Sequence, residues 1–303
     1  MLRATQILHQ TSRIMPIPSS TRLLQTSAAL IIGDEVLNGK ISDTNSKFFA
    51  RYCFALGLDL QKVEVVPDDE KDIVESIQRL ASRYDFIVTS GGIGPTHDDI
   101  TYEAIAKAFD MGVEQHPATV DRMTRLSRRK IDFSDTEART AQLRMASFPV
   151  PRPQGATTAL PELPNTVDIT YVAEDLWVPI VTVAGKVNIL PGVPSLFTRL
   201  LEGIKPDLEK KVDTARQQIR FFVMTDLPES VMAPYLRRLQ EKVNEKDIKI
   251  GSYPHMELKK NTVSIIGRKG DVEYLKEIVK DVEKNLKGEE ISAEKEEGNS
   301  HGP

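Results

Sequence analysis

The chain predicts an α/β fold, a mostly parallel sheet covered by helices, followed by a smaller α+β domain. Three observations carry this. Apolar runs of strand length alternate with helical patterns from Ala28 to Thr89, which is the βαβαβ rhythm of a parallel sheet. A glycine-rich loop, Gly91-Gly92-Ile93-Gly94, follows the third apolar run, where the ligand loops of such sheets lie. From Arg220 onward the order becomes strand, helix, strand, strand, helix, as in a separate α+β unit.

Taken in order, Ala28 to Ile32 reads as a buried strand and Thr44 to Leu56 as a helix closed by Gly57. A strand over Leu60 to Val66, a helix over Glu70 to Ser82 and a strand over Phe86 to Thr89 complete the first unit. A helix over Ile100 to Phe109 is followed by polar helical patterns near 117–130 and 135–145, then by a proline-rich passage from Pro149 to Pro164. Leu176 to Val183 and Lys186 to Leu190 predict a strand pair turning at Gly185. Pro191-Gly192-Val193-Pro194 turns the chain into a helix over Ser195 to Leu201, and Pro206 to Val212 reads as a linker. The second unit comprises strand Phe221 to Thr225, helix Ser230 to Val243, strands Ile248 to Tyr253 and Thr262 to Gly267, and helix Val272 to Leu286. The resulting division is a leader over 1–26, a first domain over 27–206, a small α+β domain over 216–288 and an acidic tail over 289–303.

With 303 residues, 40% hydrophobic and 28% charged, the chain can bury a sizeable core, and no stretch is apolar enough to span a membrane. A net charge of -4 leaves no sequence-wide footprint for nucleic acid. The basic exception, Arg122, Arg125, Arg128, Arg129 and Lys130, reads as a solvated helix face. The single cysteine, Cys53, cannot form an internal disulfide and reads as core. Five scattered histidines show no zinc spacing, so any metal would be held by oxygen ligands. The leader has Arg3, Arg13 and Arg22, many hydroxyl residues and no acid before Asp34. That composition fits a transit peptide to the mitochondrial matrix and equally a disordered cytoplasmic tail, with Met15 as an alternative start. The tail is acidic and poor in apolar residues, which predicts disorder.

The chemistry centres on residues 91–101. Glycines let backbone N–H groups approach an anionic ligand, and a following helix N-terminus adds donors and partial positive charge. Asp98 and Asp99 stand where that helix should begin. Two carboxylates beside a phosphate require a divalent cation between them, pointing to metal-assisted phosphoester chemistry. The plainer reading makes both aspartates, with Glu103, ordinary helix N-terminal acids. Gly33-Asp34-Glu35, Val66-Pro67-Asp68-Asp69 and the glycine loop all lie just past strand ends, so the three should converge on one crevice. His97 reads as a loop residue.

Together, Gly91-Gly92-Ile93-Gly94-Pro95-Thr96-His97-Asp98-Asp99-Ile100-Thr101, Gly33-Asp34-Glu35-Val36-Leu37-Asn38-Gly39 with Asp43-Thr44-Asn45, and Leu190-Pro191-Gly192-Val193-Pro194 resemble the MoaB/Mog-like molybdopterin-binding domain in its CinA-like form. The branch it looks most like holds the hydrolase domain of eukaryotic FAD synthase and stand-alone fungal FAD pyrophosphatases. The likeness covers roughly residues 27–290 and includes Gly251-Ser252-Tyr253-Pro254. It implies a three-layer αβα domain that hydrolyses the pyrophosphate of FAD to FMN and AMP, with ADP-ribose and NADH as further substrates. It also implies a divalent cation (Mg²⁺, Mn²⁺ or Co²⁺), potassium as a further candidate, and a homo-oligomer.

By the same resemblance the metal falls to Asp68 and Asp99, and Asp68 or Asp98 becomes the base for water. Gly91, Gly92, Gly94 and Thr96 cradle the phosphates. Glu35 and Asn45, with Asp34 and Asp43, order the nucleotide or a second ion, and Pro191 and Gly192 lie at the ligand. Asp43 equally reads as the cap of the helix at Thr44, and Pro191 to Pro194 as a turn only. Glu137, Arg139 and Gln142 fall where relatives carry a Glu-x-x-Lys-Gln-Ala-like segment, with departures at Arg139 and Leu143. Two other readings stand beside the hydrolase: a molybdopterin-binding protein of molybdenum cofactor assembly, and a non-catalytic nucleotide-binding or scaffold module.

Overall fold

The computed structural model describes residues 23–126, 135–151 and 160–300. Most of the leader (1–22), Arg128, Arg129 and Lys130, the middle of the proline-rich passage and residues 301–303 lie outside the described residues.

In chain order the elements of the first part are β1 (Thr26–Ile32), α1 (Asp34–Leu37), α2 (Asn45–Leu56), β2 (Asp59–Val66), α3 (Glu70–Ala81), β3 (Phe86–Ser90) and α4 (Thr101–Ala108). They continue with β4 (Gly112–Gln115), α5 (Pro117–Leu126), α6 (Thr136–Arg144), β5 (Ser147–Val150), β6 (Val167–Thr170), β7 (Ile180–Val183), β8 (Val187–Leu190) and α7 (Pro194–Glu209). The second part comprises β9 (Gln218–Thr225), α8 (Glu229–Val243), β10 (Lys249–His255), β11 (Lys260–Arg268), α9 (Val272–Leu286), β12 (Glu289–Ile291) and α10 (Ala293–Ser300).

The first sheet has the order β2-β1-β3-β8-β7-β6, with β1 parallel to β2 and β3, and β3 parallel to β8. β7 runs antiparallel to β8 and β6. The sequence of β1 shows why this is a three-layer arrangement. Ala28, Leu30 and Ile32 pack into a core cluster with Ile73 and Ile77 of α3 and Ile105 of α4. Ala29 and Ile31, pointing the other way, join Phe49 and Cys53 of α2 and Phe197 and Leu201 of α7. A strand buried on both faces must be apolar throughout rather than alternating, as this one is. Cys53 belongs to that core. Burial pushes its thiol up to about 12, against the Ser27 hydroxyl bond that favours the thiolate, so it is no nucleophile.

The second sheet, β10-β11-β9-β12, is antiparallel throughout. Val223, Val263 and Ile265 face α8 and α9. The two parts meet at the start of β2, where Asp59 accepts hydrogen bonds from Arg216 (2.7 Å), Gln218 (3.1 Å) and Arg268 (3.3 Å).

Four expectations need correction. The helix expected to end at Leu201 continues through Pro206 to Glu209, so Pro206 to Val212 is no linker. Proline costs the helix a hydrogen bond, but Leu208 stays buried in the second core cluster and holds the last turn. The strand expected from Leu176 begins only at Ile180, because Pro179 has no N–H for a ladder paired on both sides. The acidic tail is ordered as far as it is described: Ile291 packs on Phe222 and Met224, and β12 pairs with β9. Arg122 is not solvated. It donates to the carbonyl of Leu176 at 2.6 Å, and to that of Ala173, and its guanidinium lies 4.6 Å from the Tyr171 ring centroid, while Arg125 is exposed.

Among the described residues no helix is long and apolar enough to cross a membrane.

Candidate functional site

The carboxyl ends of β1, β2, β3 and β8 bring together the segments that follow them. After Ser90 the backbone enters positive φ at Gly91 (110°) and Gly92 (65°), a conformation that side chains rarely allow. Space excludes them as well. A Cβ on Gly91 would lie 2.1 Å from the Ile32 carbonyl oxygen, and one on Gly92 2.2 Å from Thr101 Oγ1. Thr101 in turn donates its hydroxyl to Gly91 O and its amide to Gly92 O, both at 2.9 Å, so the loop is tied to the first residue of α4.

The helix therefore starts after the two aspartates, with Ile100 at its cap and no capping side chain. This excludes the plainer reading of Asp98 and Asp99 as its N-terminal caps. Asp99 turns back into its own loop, where Oδ2 accepts from Thr96 N at 2.9 Å and from the Thr96 hydroxyl. A Cβ on Gly94 would meet that same oxygen at 2.5 Å. Asp98 points outward, with His97 Nδ1 3.9 Å from its carboxylate and both side chains exposed.

On the opposite wall stands Asp68, half-buried past the end of β2, with Oδ2 accepting from the Asp34 amide at 3.0 Å. Burial raises its carboxyl above the ordinary range; the Asp34 amide works against that shift, and the charges of Glu35, Asp34 and Asp98 add to it. The structure thus groups Asp34, Glu35, Asp68 and Asp98, while Asp99 is committed to Thr96.

Asn45 is the strut of the site. Buried at the start of α2, its Nδ2 donates to Ser90 Oγ and to Gly192 O, each at 2.8 Å. A Cβ on Gly192 would come within 3.3 Å of Gly91 Cα, so the Pro191-Gly192 turn abuts the glycine loop and Pro191 is buried beneath it. A small cavity of about 50 Å³ is lined by Glu35, Asp43, Asn45, Ser90 and Gly192. It shares Thr44, Asn45 and Pro194 with a groove of about 550 Å³ that adds Phe48, Ser195 and Thr198. Asp43 accepts from the Ser46 amide at 2.9 Å, so it caps the first turn of α2 while lining the cavity. Glu137 is exposed, and Gln142 holds a buried Oε1 without a partner. Gly251 to Pro254 lie on β10, where Ser252 donates to Glu229 at 2.8 Å.

Ser90 and Arg144 went unread in the sequence. Ser90 reads as the end of an apolar strand, and Arg144, on the last residue of α6, reaches the carbonyls of Thr96 and Asp99 with no local signal that could announce it.

Among the described residues, no group of three or more His, Cys, Asp or Glu is disposed to hold a metal ion. The acids are nonetheless hard oxygen donors whose mutual repulsion a cation would relieve. Mg²⁺ is commonly held by one or two carboxylates together with substrate phosphates, and this donor set fits that pattern rather than a preformed cage.

Comparison with known proteins agrees with this architecture. Residues 28–210 match the family described as a probable molybdopterin binding domain, and residues 217–295 the middle domain of FAD synthase. The chain is 31% identical over 255 residues to a probable FAD synthase of Caenorhabditis briggsae, covering 78% of this chain and 44% of that one. It is 31% identical over 208 residues to a CinA-like protein of Myxococcus xanthus, covering 66% and 45%. The chain thus spans less than half the length of these curated relatives. The solved structure of the protein CinA from Thermoplasma acidophilum aligns with a TM-score of 0.49 at 24% identity, covering 62% of this chain and 99% of that one.

Proposed function

The chain belongs to the family of molybdopterin-binding domain proteins, and from that premise we propose that it is a metal-assisted hydrolase of a nucleotide pyrophosphate, cleaving FAD with water to FMN and AMP. ADP-ribose and NADH are further candidate substrates. The observation that carries this reading is the wall of acids facing a glycine loop. Among the described residues Asp34, Glu35 and Asp68 form no ion pair with Lys or Arg, and three acids crowd the half-buried Asp68. Such a wall suits a cation, and a phosphate ligand would bring one. The match to the middle domain of FAD synthase and the likeness to probable FAD synthases support a flavin nucleotide as that ligand.

Asp68 and Asp98 would hold the Mg²⁺, Mn²⁺ or Co²⁺ ion, with substrate oxygens as its other ligands. Bound there, it would neutralise charge on the phosphates during displacement. The turn that Gly91 and Gly92 permit would present the backbone amides of the loop to the pyrophosphate. Asp99, to which the resemblance gives the metal, has Oδ2 engaged by Thr96 and would serve to shape the loop. Asp68 or Asp98 would be the base toward the attacking water.

The test is incubation of purified protein with FAD, ADP-ribose, NADH or molybdopterin, with and without the three cations and K⁺, products being separated by chromatography. Metal-dependent FMN and AMP are expected. Absence of cleavage with tight pterin binding would instead favour a role in molybdenum cofactor assembly, the reading that the family description itself supports.

A further inference from the structure

We propose that Arg144 is a positioning residue of this site, a clamp from the α6 arm that fixes the turn carrying Asp98. Its kinetic consequence rests on the hydrolase reading; its structural consequence does not.

The turn from Thr96 to Asp99 has little of its own to hold it. Thr96, His97 and Asp98 are exposed, so burial contributes nothing there. The bonds inside the turn stay within it: the Asp99 carboxylate takes the Thr96 amide and hydroxyl, the Asp99 amide donates to Thr96 O at 3.2 Å, and the Thr96 side chain also bonds the Asp98 carboxylate. An exposed turn closed on itself in this way is free to move as a unit, since local stability follows burial and bonding to neighbours.

Arg144 supplies that bonding. Its Nη1 donates to Thr96 O at 3.2 Å and its Nη2 to Asp99 O at 2.9 Å, so one planar group grips both ends of the turn. The same guanidinium binds Glu103 Oε1 on α4 through Nε at 3.2 Å and Nη2 at 3.0 Å. Glu103 ties the fork to α4, and the two carbonyl bonds hold the turn. A lysine, with a single nitrogen, cannot span two carbonyls and a carboxylate in one plane. The coupling runs in both directions, because α6 buries none of its own residues and depends on such polar contacts for its place. Order in the arm and the position of Asp98 against Asp68 are therefore one property.

The plainer alternative is that Arg144 merely pins α6 to α4 through Glu103, and three variants of the full chain separate the two: Arg144→Gln, Arg144→Lys and Glu103→Gln. Each is followed by hydrogen exchange of peptides covering 91–101 and 135–147 and by FAD turnover, with circular dichroism as the check of folding. Arg144→Gln is expected to speed exchange in 94–99 about tenfold and to lower kcat on the order of tenfold to a hundredfold with KM little changed. Arg144→Lys should lie between, and it carries the test if the glutamine variant does not fold. Glu103→Gln should leave exchange in the turn near wild type, because both carbonyl bonds survive.

Unchanged exchange in the turn of a folded Arg144 variant overturns the proposal, as does an equal loss in Glu103→Gln. Faster exchange in a protein whose wild type never cleaves FAD upholds the clamp and refutes the hydrolase reading.

Discussion

The two ends of β2 carry an aspartate each, and the two are treated in opposite ways. Asp59, its first residue, is met by Arg216, Arg268 and Gln218, with Asp247 sharing Arg268 at 2.6 Å. Asp68, two residues past its end, is met by one amide and by the charges of Glu35, Asp34 and Asp98. The first carboxylate is neutralised inside the protein and joins two domains. The second is left with its charge unmatched, at the mouth of a glycine loop. Structural charges are compensated in the free molecule, whereas a site for a charged ligand stays uncompensated until that ligand arrives.

This contrast can be broken from either side. Asp68→Asn and Asp98→Asn should each lower FAD cleavage on the order of 10²–10³-fold, with circular dichroism unchanged; full turnover in either variant removes that residue from the chemistry. Asp59→Asn should do the reverse. It leaves two half-buried guanidinium groups short of a partner, costing about 2 kcal/mol and roughly 4–8 °C in Tm, while the folded fraction keeps its turnover by calorimetry and assay. Divalent cation should sharpen the contrast: Mg²⁺ alone should move Tm little, and Mg²⁺ with ADP-ribose should raise it in the wild type but not in Asp68→Asn. A large shift from Mg²⁺ alone would mean that the acids form a cage unaided.

The smallest effect is in the pH dependence of the free protein. The folded-state pKa of Asp68 is raised, so the folded state binds its proton more tightly than the unfolded chain. The stabilisation is complete below the ordinary carboxylate range and is lost as pH rises through the raised folded value. Asp68→Asn should therefore be more stable than wild type at neutral pH, with the advantage vanishing in acid; thermal melts across that range read it directly.

Much of the parallel sheet was legible because its central strands β1, β3 and β8 are buried on both faces. Ala28 to Ile32 could be read as central from its unbroken apolar run, the residues of which serve two cores. The β4–β5 pair and β6 were missed for the opposite reason: Gly112-Val113-Glu114-Gln115 carries no such pattern, and its partner Ser147-Phe148-Pro149-Val150 is remote in sequence. In the site, the glycine loop and the gathering of Gly33, Asp68 and Gly91 at strand ends followed from topology. Which of two adjacent aspartates faces outward did not, since that depends on where the Thr96 amide and hydroxyl point. The grip of Arg144 was equally hidden, being directed at backbone carbonyls that every residue possesses.

The ordered end of the chain bears on how the protein should be handled at the bench. β12 covers the edge of β9, and Ile291 lies over Phe222 and Met224. The following helix is held by buried Glu296, whose carboxylate accepts from Thr262 at 2.8 Å and lies 3.2 Å from His255. Composition invites a truncation at residue 288 to remove an acidic tail. Such a version would bare an unpaired strand edge beside two large apolar side chains, an invitation to edge-to-edge self-association, and should elute as aggregate where the longer chain does not.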